Sequence, residues 1–129
     1  MKDNQMNVQR INFPELGMPV GPYTHAVVHG NTLYTSGFTA FGTEAQSGSV
    51  SDQTKAILNQ LQIIAEQQNT AMKNLIKVTV FVTDLSDMAS LRDTLLDLYG
   101  NHIPASSLIK IEALFAPELK IEIEAIFTL

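Results

Sequence analysis

The chain has 129 residues, 13 Asp and Glu against 8 Lys and Arg, and no cysteine. The lack of cysteine excludes a disulfide framework and a thiolate nucleophile, and it fits a reducing compartment. The net charge of −5, with scattered basic residues, disfavours binding to nucleic acid through a basic face. No segment reaches the roughly 20 apolar residues of a membrane span, and no signal-peptide core is evident. We therefore expect a cytoplasmic protein with a single domain over residues 1–129.

The first third of the chain predicts a short strand, a loop and a hairpin. Residues 1–7 are polar, and we expect them to be flexible. A short strand is predicted around Ile11, and the Pro- and Gly-rich stretch 14–23 predicts an ordered loop. Two β-rich runs, 26–28 and 32–36, flank Gly30-Asn31, a pair that is typical of a hairpin turn.

Two amphipathic helices are predicted in the middle of the chain. Apolar residues spaced by three and four predict the first over residues 51–68, with Ser49 or Ser51 as its N-cap. A similar stripe predicts the second over residues 87–99, with Ser86 as N-cap and Gly100 ending it.

Three strands complete the predicted elements. The run Ile76–Thr83 has β-branched residues at both parities, which indicates an interior strand that is buried on both faces. Residues 103–127 alternate apolar and polar side chains in two runs, which predicts two closing strands. In the second of these strands, Glu122 and Glu124 share one face.

The order of elements is strand, hairpin, helix, strand, helix, strand, strand. It predicts an α+β fold, a mixed sheet of about six strands with two helices packed on one face. Two helices cannot cover both faces of such a sheet. We therefore expect the open face to meet a partner subunit.

Three segments together resemble signatures of the RidA/YjgF (Rid) family: Gly21–Gly37, Val78–Met88 and Ile103–Ile126. The resemblance extends over about residues 12–126. It implies a chorismate-mutase-like fold and a homotrimer with a central β-barrel and a ligand cleft between subunits. It also implies hydrolysis of reactive 2-imine and 2-enamine acids to 2-keto acids and ammonia, without a metal or cofactor.

One position departs from the pattern of the active deaminases in that family. Their Pro-Ala-Arg-Ser motif supplies a guanidinium for the substrate carboxylate, whereas the segment Pro104–Ser107 carries Ser106 at the arginine position. Lys110, Arg92 and His25 are candidates to replace this cation. Lys110 has the same strand parity as Ser106 but lies roughly 13 Å along the strand.

The resemblance assigns catalytic roles to Glu122 and Tyr23. Glu122 matches the pocket glutamate that positions or activates water, whereas the alternation alone favours a solvent-facing residue of the last strand. Tyr23 matches a pocket tyrosine, or it is a half-buried aromatic residue at the end of a loop. A carboxylate in a cleft that lacks the arginine repels an anionic substrate, so a neutral or cationic ligand is favoured.

The remaining predicted ligand-binding positions come from the same matching segments. Backbone groups of Ser36 and Gly37 are expected to approach a ligand, or they only end a strand. The other predicted ligand-binding residues are Ser106, Ser107, Leu108 and His25. Phe38 and Phe41 are expected to be exposed, either at the lip of the cleft or against a neighbouring subunit.

Two functions are compatible with these residues. The first is an imine or enamine deaminase that acts in the intersubunit cleft, with weak or altered activity because of Ser106. The second is a non-catalytic, small-molecule-binding or regulatory trimer. A third label in the family, endoribonuclease, is disfavoured by the acidic charge. No pattern of metal ligands is present in the sequence.

Overall fold

The computed structural model describes residues 7–129, so the flexible start predicted for residues 1–7 falls outside it except for Asn7. The helices and strands, in chain order, are β1 (Gln9–Ile11), β2 (Ala26–His29), β3 (Thr32–Thr35), α1 (Val50–Gln67), β4 (Leu75–Val82), α2 (Met88–Tyr99), β5 (Ala105–Lys110) and β6 (Ile121–Thr128). Neither helix in this range is long and apolar enough to cross a lipid bilayer.

The strands form one six-stranded sheet in the order β1-β2-β3-β6-β4-β5. All neighbouring strands are antiparallel except β4 and β5, which are parallel. This arrangement confirms the predicted mixed sheet with two helices. The two closing strands do not pair with each other, because β4 lies between them.

The core lies between the helices and one face of the sheet. Ile121, Ile123 and Phe127 of β6 are fully buried, and they alternate with the more exposed residues of the same strand. Helix α1 places Ile57 and Leu61, also fully buried, in the same core. The period-two pattern therefore sets which residues of β6 enter the core.

The opposite face of the sheet is open. Tyr34 in β3 and Ile109 in β5 are 43% and 44% exposed, and Ile76 in β4 is 47% exposed. The prediction that β4 is buried on both faces is therefore wrong for this chain. The residues of β4 that share a face with Val78 are buried, whereas Thr79 on the other face is only partly buried. The reason is that the two helices cover only one face of the sheet.

The helix ends follow the sequence in part. The Ser49 hydroxyl accepts a hydrogen bond from the Asp52 N–H (3.1 Å) and caps α1, as predicted. Helix α2 begins after Asp87 without a side-chain cap, so the prediction of Ser86 as N-cap is wrong. The Ser86 N–H instead donates to Oδ1 of Asp84 (2.8 Å), which forms an Asx turn before the helix.

The position of Phe38 also differs from the prediction. Its backbone forms a β-bridge with Ile123, and its ring is only 7% exposed, so the expected exposure is wrong for this residue. Phe41 is 43% exposed, in agreement with the prediction. The bridge brings the segment after β3 alongside the start of β6.

A buried glutamine connects helix α1 to the segment that leads into β6. Nε2 of Gln53 donates to the carbonyl oxygens of Gln46 (3.1 Å), Gly48 (3.1 Å) and Glu118 (2.9 Å). Its Oε1 accepts from the Lys120 N–H (2.9 Å). Because the side chain is fully buried, these bonds replace all of its contacts with water.

We expect Gln53→Ala to lower the free energy of unfolding by about 2–4 kcal/mol, because it leaves buried backbone groups unsatisfied and creates a cavity. Urea unfolding measures the change. Gln62→Ala on the exposed side of the same helix is the control, with an expected change within about 0.5 kcal/mol. Equal effects of the two substitutions would contradict the proposed role of Gln53.

Candidate functional site

A cavity of about 950 Å³ lies beside the start of β6. Its walls come from the loop before β2, the segment that follows β3, helix α1 and the loop before β6. Five of the predicted catalytic and ligand-binding residues line it together: Tyr23, His25, Ser36, Gly37 and Glu122. The size falls in the usual range for a small-molecule site.

Glu122 is placed by the alternation along β6 and by a glycine opposite it. Since Ile121 and Ile123 enter the core, the Glu122 side chain lies on the other face of the strand. A Cβ atom built on Gly37 would lie 2.0 Å from Oε2 and 2.7 Å from Cδ of Glu122. Gly37 does not have a positive φ, so its lack of a side chain serves close approach and not an unusual backbone conformation.

The electrostatic surroundings of Glu122 favour its protonated form. Burial is the main cause that raises the pKa of Glu122 above the usual value of a glutamate, and the negative charge of Glu124 raises it further. Within residues 7–129 no lysine or arginine lines the cavity to oppose this shift. A carboxyl group whose pKa is raised by burial in a cavity is a candidate for general acid–base catalysis.

Tyr23 and Ser36 stand at the wall that this cavity shares with a shallower neighbouring depression. The Tyr23 ring is 43% exposed, and its hydroxyl oxygen accepts a long hydrogen bond from the Val20 N–H (3.4 Å). This contact leaves the Tyr23 hydroxyl proton for a ligand. The Ser36 hydroxyl donates to the Thr24 carbonyl (2.6 Å), so its proton is already committed.

His25 is a buried residue at the back of the cavity. It is 3% exposed, and its ring lies between those of Phe13 and Phe38, with centroid distances of 6.1 and 5.7 Å. Nδ1 accepts from the Phe13 N–H (2.9 Å), and burial lowers the pKa of His25. These contacts favour a neutral ring with its proton on Nε2 over the cation that the sequence left open.

The structure does not bring Ser106, Ser107 and Leu108 to this cavity. They lie in the edge strand β5, which is exposed along its length. The strand register pairs Glu122 with Phe81 and, across β4, with Ile109, three residues beyond Ser106. Ser106 is therefore roughly 10 Å from Glu122 along the strands and roughly 10 Å across them.

The other candidate cations are also outside the cavity. Arg92 is an exposed residue of α2, and Lys110 ends β5. The strand register aligns Lys110, across β4, with Ile121, whose side chain lies on the opposite face of the sheet from Glu122. Neither basic residue lines the cavity.

Several lining residues were not found from the sequence. Phe115, in the loop before β6, packs against Phe41 with ring centroids 4.9 Å apart, and the two rings are 60% and 43% exposed. Gln60 of α1 and Glu15 of the first loop also line the cavity. Phe115 and Glu15 lie outside the helices and strands that periodic patterns predict, whereas Phe41 was expected at the lip of the cleft.

The arrangement does not form a metal site. No group of three or more His, Asp or Glu side chains within residues 7–129 is placed to hold a metal ion. The chemistry that the cavity itself offers is proton transfer by one carboxyl group, hydrogen bonding by Tyr23 and His25, and apolar contact.

A protein-family model described as Endoribonuclease L-PSP matches residues 15–129. The chain belongs to the RidA/YjgF family. A RutC family protein of Pyrococcus horikoshii is 32% identical over 111 residues, which cover 84% of this chain and 87% of that protein. A protein of Escherichia coli named 2-iminobutanoate/2-iminopropanoate deaminase is 33% identical over 112 residues, 83% of this chain and 87% of that protein.

Solved structures agree with this family and with the chorismate-mutase-like fold that the sequence predicted. RidA from an Antarctic Psychrobacter superposes with a TM-score of 0.85 at 27% identity, covering 94% of this chain and 99% of that one. The Escherichia coli YjgF gene product gives a TM-score of 0.83 at 29% identity, with coverage of 93% and 98%. The family predicted from three sequence segments is thereby confirmed.

We expect Gly37→Ala to lower the free energy of unfolding by about 1–3 kcal/mol, since the added methyl group must displace the Glu122 carboxyl group. In a Glu122→Ala background the same change should be neutral or slightly stabilising, because the obstacle is gone. A double-mutant cycle by urea unfolding measures the coupling, which should exceed about 1 kcal/mol. Equal effects of Gly37→Ala in the two backgrounds would contradict the contact.

Proposed function

We propose that this protein hydrolyses imines in the cavity around Glu122 and that its activity on 2-iminobutanoate and 2-iminopropanoate is weak. The observation that carries the proposal is the half-buried Glu122 carboxyl group, with its raised pKa, held against Gly37 at the cavity wall. Relatives named 2-iminobutanoate/2-iminopropanoate deaminase support the reaction class.

Glu122 can serve the proton transfers of imine hydrolysis. As water attacks the C=N carbon of a protonated imine, the carboxylate takes a proton from the water and a C–O bond forms. The same proton then passes to the nitrogen. As the C–N bond breaks, the carboxylate takes the proton of the carbinolamine hydroxyl group and passes it to the departing ammonia, so that a carbonyl compound and ammonium leave. The hydroxyl of Tyr23 and Nε2–H of His25 are the donors available to hold the reacting molecule.

We also propose a homotrimer in which β5 of a neighbouring subunit completes the cleft. Two observations support it: β5 is an exposed edge strand, and Ser106 is too far from Glu122 for one chain to hold a ligand between them. The open face of the sheet, with Tyr34 and Ile109 partly exposed, offers apolar surface for association.

Ser106 explains why weak activity is expected. Without a guanidinium, the carboxylate of a 2-imino acid lacks the bidentate partner that fixes its position. The same substitution favours a second candidate function, a trimer that binds a small molecule without catalysis.

The decisive assay is ammonia release from 2-iminobutanoate and 2-iminopropanoate generated in situ. We expect slow release above buffer, a rise of at least about tenfold in kcat/KM for Ser106→Arg, and loss of that gain when Glu122→Gln is added. Ser90→Arg, at an exposed position of α2 outside the cavity, is the control and should give no gain. If wild type and Ser106→Arg both fail to exceed buffer, the non-catalytic candidate replaces the enzyme.

Light scattering tests the trimer. The expected mass is three times the 14.2 kDa of one chain. Ile109→Lys on the open face should shift the mass towards the monomer, since it places a charge in an apolar contact. Leu96→Lys, at an equally exposed apolar position of α2, should leave the mass unchanged. A stable wild-type monomer would contradict the proposal.

A further inference from the structure

The cavity has an unusual charge balance for a protein that is expected to bind acids. Its charged lining residues within residues 7–129 are two carboxylates, Glu15 and Glu122. Glu15 accepts a hydrogen bond from the Gln67 side chain and stands at the exposed rim, whereas Glu122 is deeper and half-buried. An anionic group that enters this space meets negative charge first.

Hydrogen-bonding groups in the wall add to this preference. The side-chain nitrogen of Gln60 donates to the carbonyl oxygens of Thr39 (2.9 Å) and Ala56 (3.2 Å), which commits its donor end and leaves Oε1 as an acceptor. The Ser36 hydroxyl proton is likewise committed to a backbone carbonyl. Gln60 and Ser36 therefore present acceptors to the cavity, which suit a ligand that carries N–H donors.

Aromatic rings supply a second, independent attraction for positive charge. Tyr23, Phe38, Phe41 and Phe115 all line the cavity, and the last two form the exposed pair at its rim. The faces of aromatic rings attract ammonium and similar cations, by about 0.5–2 kcal/mol per contact. The combination of such rings with a carboxylate is typical of sites for cationic nitrogen compounds.

Three basic side chains of neighbouring elements do not enter the cavity. Nζ of Lys120, two residues before Glu122, donates to the Gly48 carbonyl (2.8 Å), and Nζ of Lys77 donates to the Ser107 hydroxyl (2.9 Å). Arg10 borders the shallower depression on the far side of Tyr23. None of the three lines the cavity, so none neutralises Glu122 from this chain.

We propose that the cavity selects a cationic nitrogen compound that lacks a carboxylate, namely an ammonium or iminium group on an apolar or aromatic body. The inference deepens the proposed function and rests on it for the reaction. The substrate would be the iminium of a simple amine, hydrolysed as C=NH₂⁺ + H₂O → C=O + NH₄⁺. The class of reaction that supplies such an imine is the oxidation of an amine, not the dehydration of an amino acid.

The physical basis is the discrimination between two kinds of imine. A 2-imino acid carries an iminium that Glu122 attracts and a carboxylate that it repels, and Ser106 provides no compensating cation. The iminium of a simple amine retains the attraction and lacks the repulsion. The partial burial of Glu122 strengthens both effects, because screening by water is reduced.

The test uses three stable probes with the same ring: benzylammonium, benzyl alcohol and benzoate. Calorimetric titration of the full chain at pH 7 should give at least about tenfold tighter binding of benzylammonium than of the other two. Glu122→Gln should reduce this preference at least about fivefold. Glu124→Gln, on the same strand and face but outside the cavity, removes a charge that also acts on Glu122, and it should change the preference by less than about twofold.

Two results would overturn the inference. One is binding of benzoate as tight as that of benzylammonium. The other is an equal loss of preference in Glu122→Gln and Glu124→Gln, which would indicate only the overall negative charge. Because binding needs no turnover, the inference and the proposed function fail separately. A preference for benzylammonium without ammonia release from any imine would retain the binding preference and overturn hydrolysis.

Discussion

The close approach of Glu122 to Gly37 is the contact on which the cavity depends. It requires that β6 place alternate residues in the core, that the segment after β3 run beside β6, and that position 37 have no side chain. Burial of Ile121 and Ile123 supplies the energy that holds the strand, at about 25 cal/mol per Å² of apolar surface. The carboxyl group is thus kept partly out of water by the packing of its neighbours.

The same packing leaves the negative charge of Glu122 without a cation from residues 7–129 of the same chain in the cavity. A half-buried carboxylate is normally paired with a cation, yet the polar bonds around this site go to backbone groups and to a neutral histidine. The raised pKa of Glu122 is the consequence. A proton, a cation from a neighbouring subunit or a cationic ligand can each compensate the charge of such a group.

The sequence predicts the fold well where periodicity and turn chemistry decide it. The alternation of apolar and polar residues predicted β6 and the face on which Glu122 lies. The apolar stripe at helical spacing and the Ser49 cap predicted α1. Prediction from the sequence failed where contacts between residues distant in the chain determine the burial of a side chain. The amide of Gln53 bonds to Glu118, 65 residues away, and nothing in its local pattern marks it as buried. A local contact competes at α2, where the Ser86 N–H donates to Oδ1 of Asp84 and the helix begins after Asp87 without a side-chain cap.

In the candidate site, too, some of the residues predicted from the sequence lie together and others do not. Tyr23, His25, Ser36, Gly37 and Glu122 come together because the hairpin and β6 are neighbours in one sheet, whereas Ser106 follows β4 to the outer edge. The family resemblance assigns both sets of residues to one pocket. Within the chain, however, β4 lies between β5, which carries Ser106, and β6, which carries Glu122. In the trimer that we propose, residues that a single sheet holds this far apart meet across a boundary between subunits. In that assembly, the element placed against the edge strand β5 decides whether the charge of Glu122 remains uncompensated.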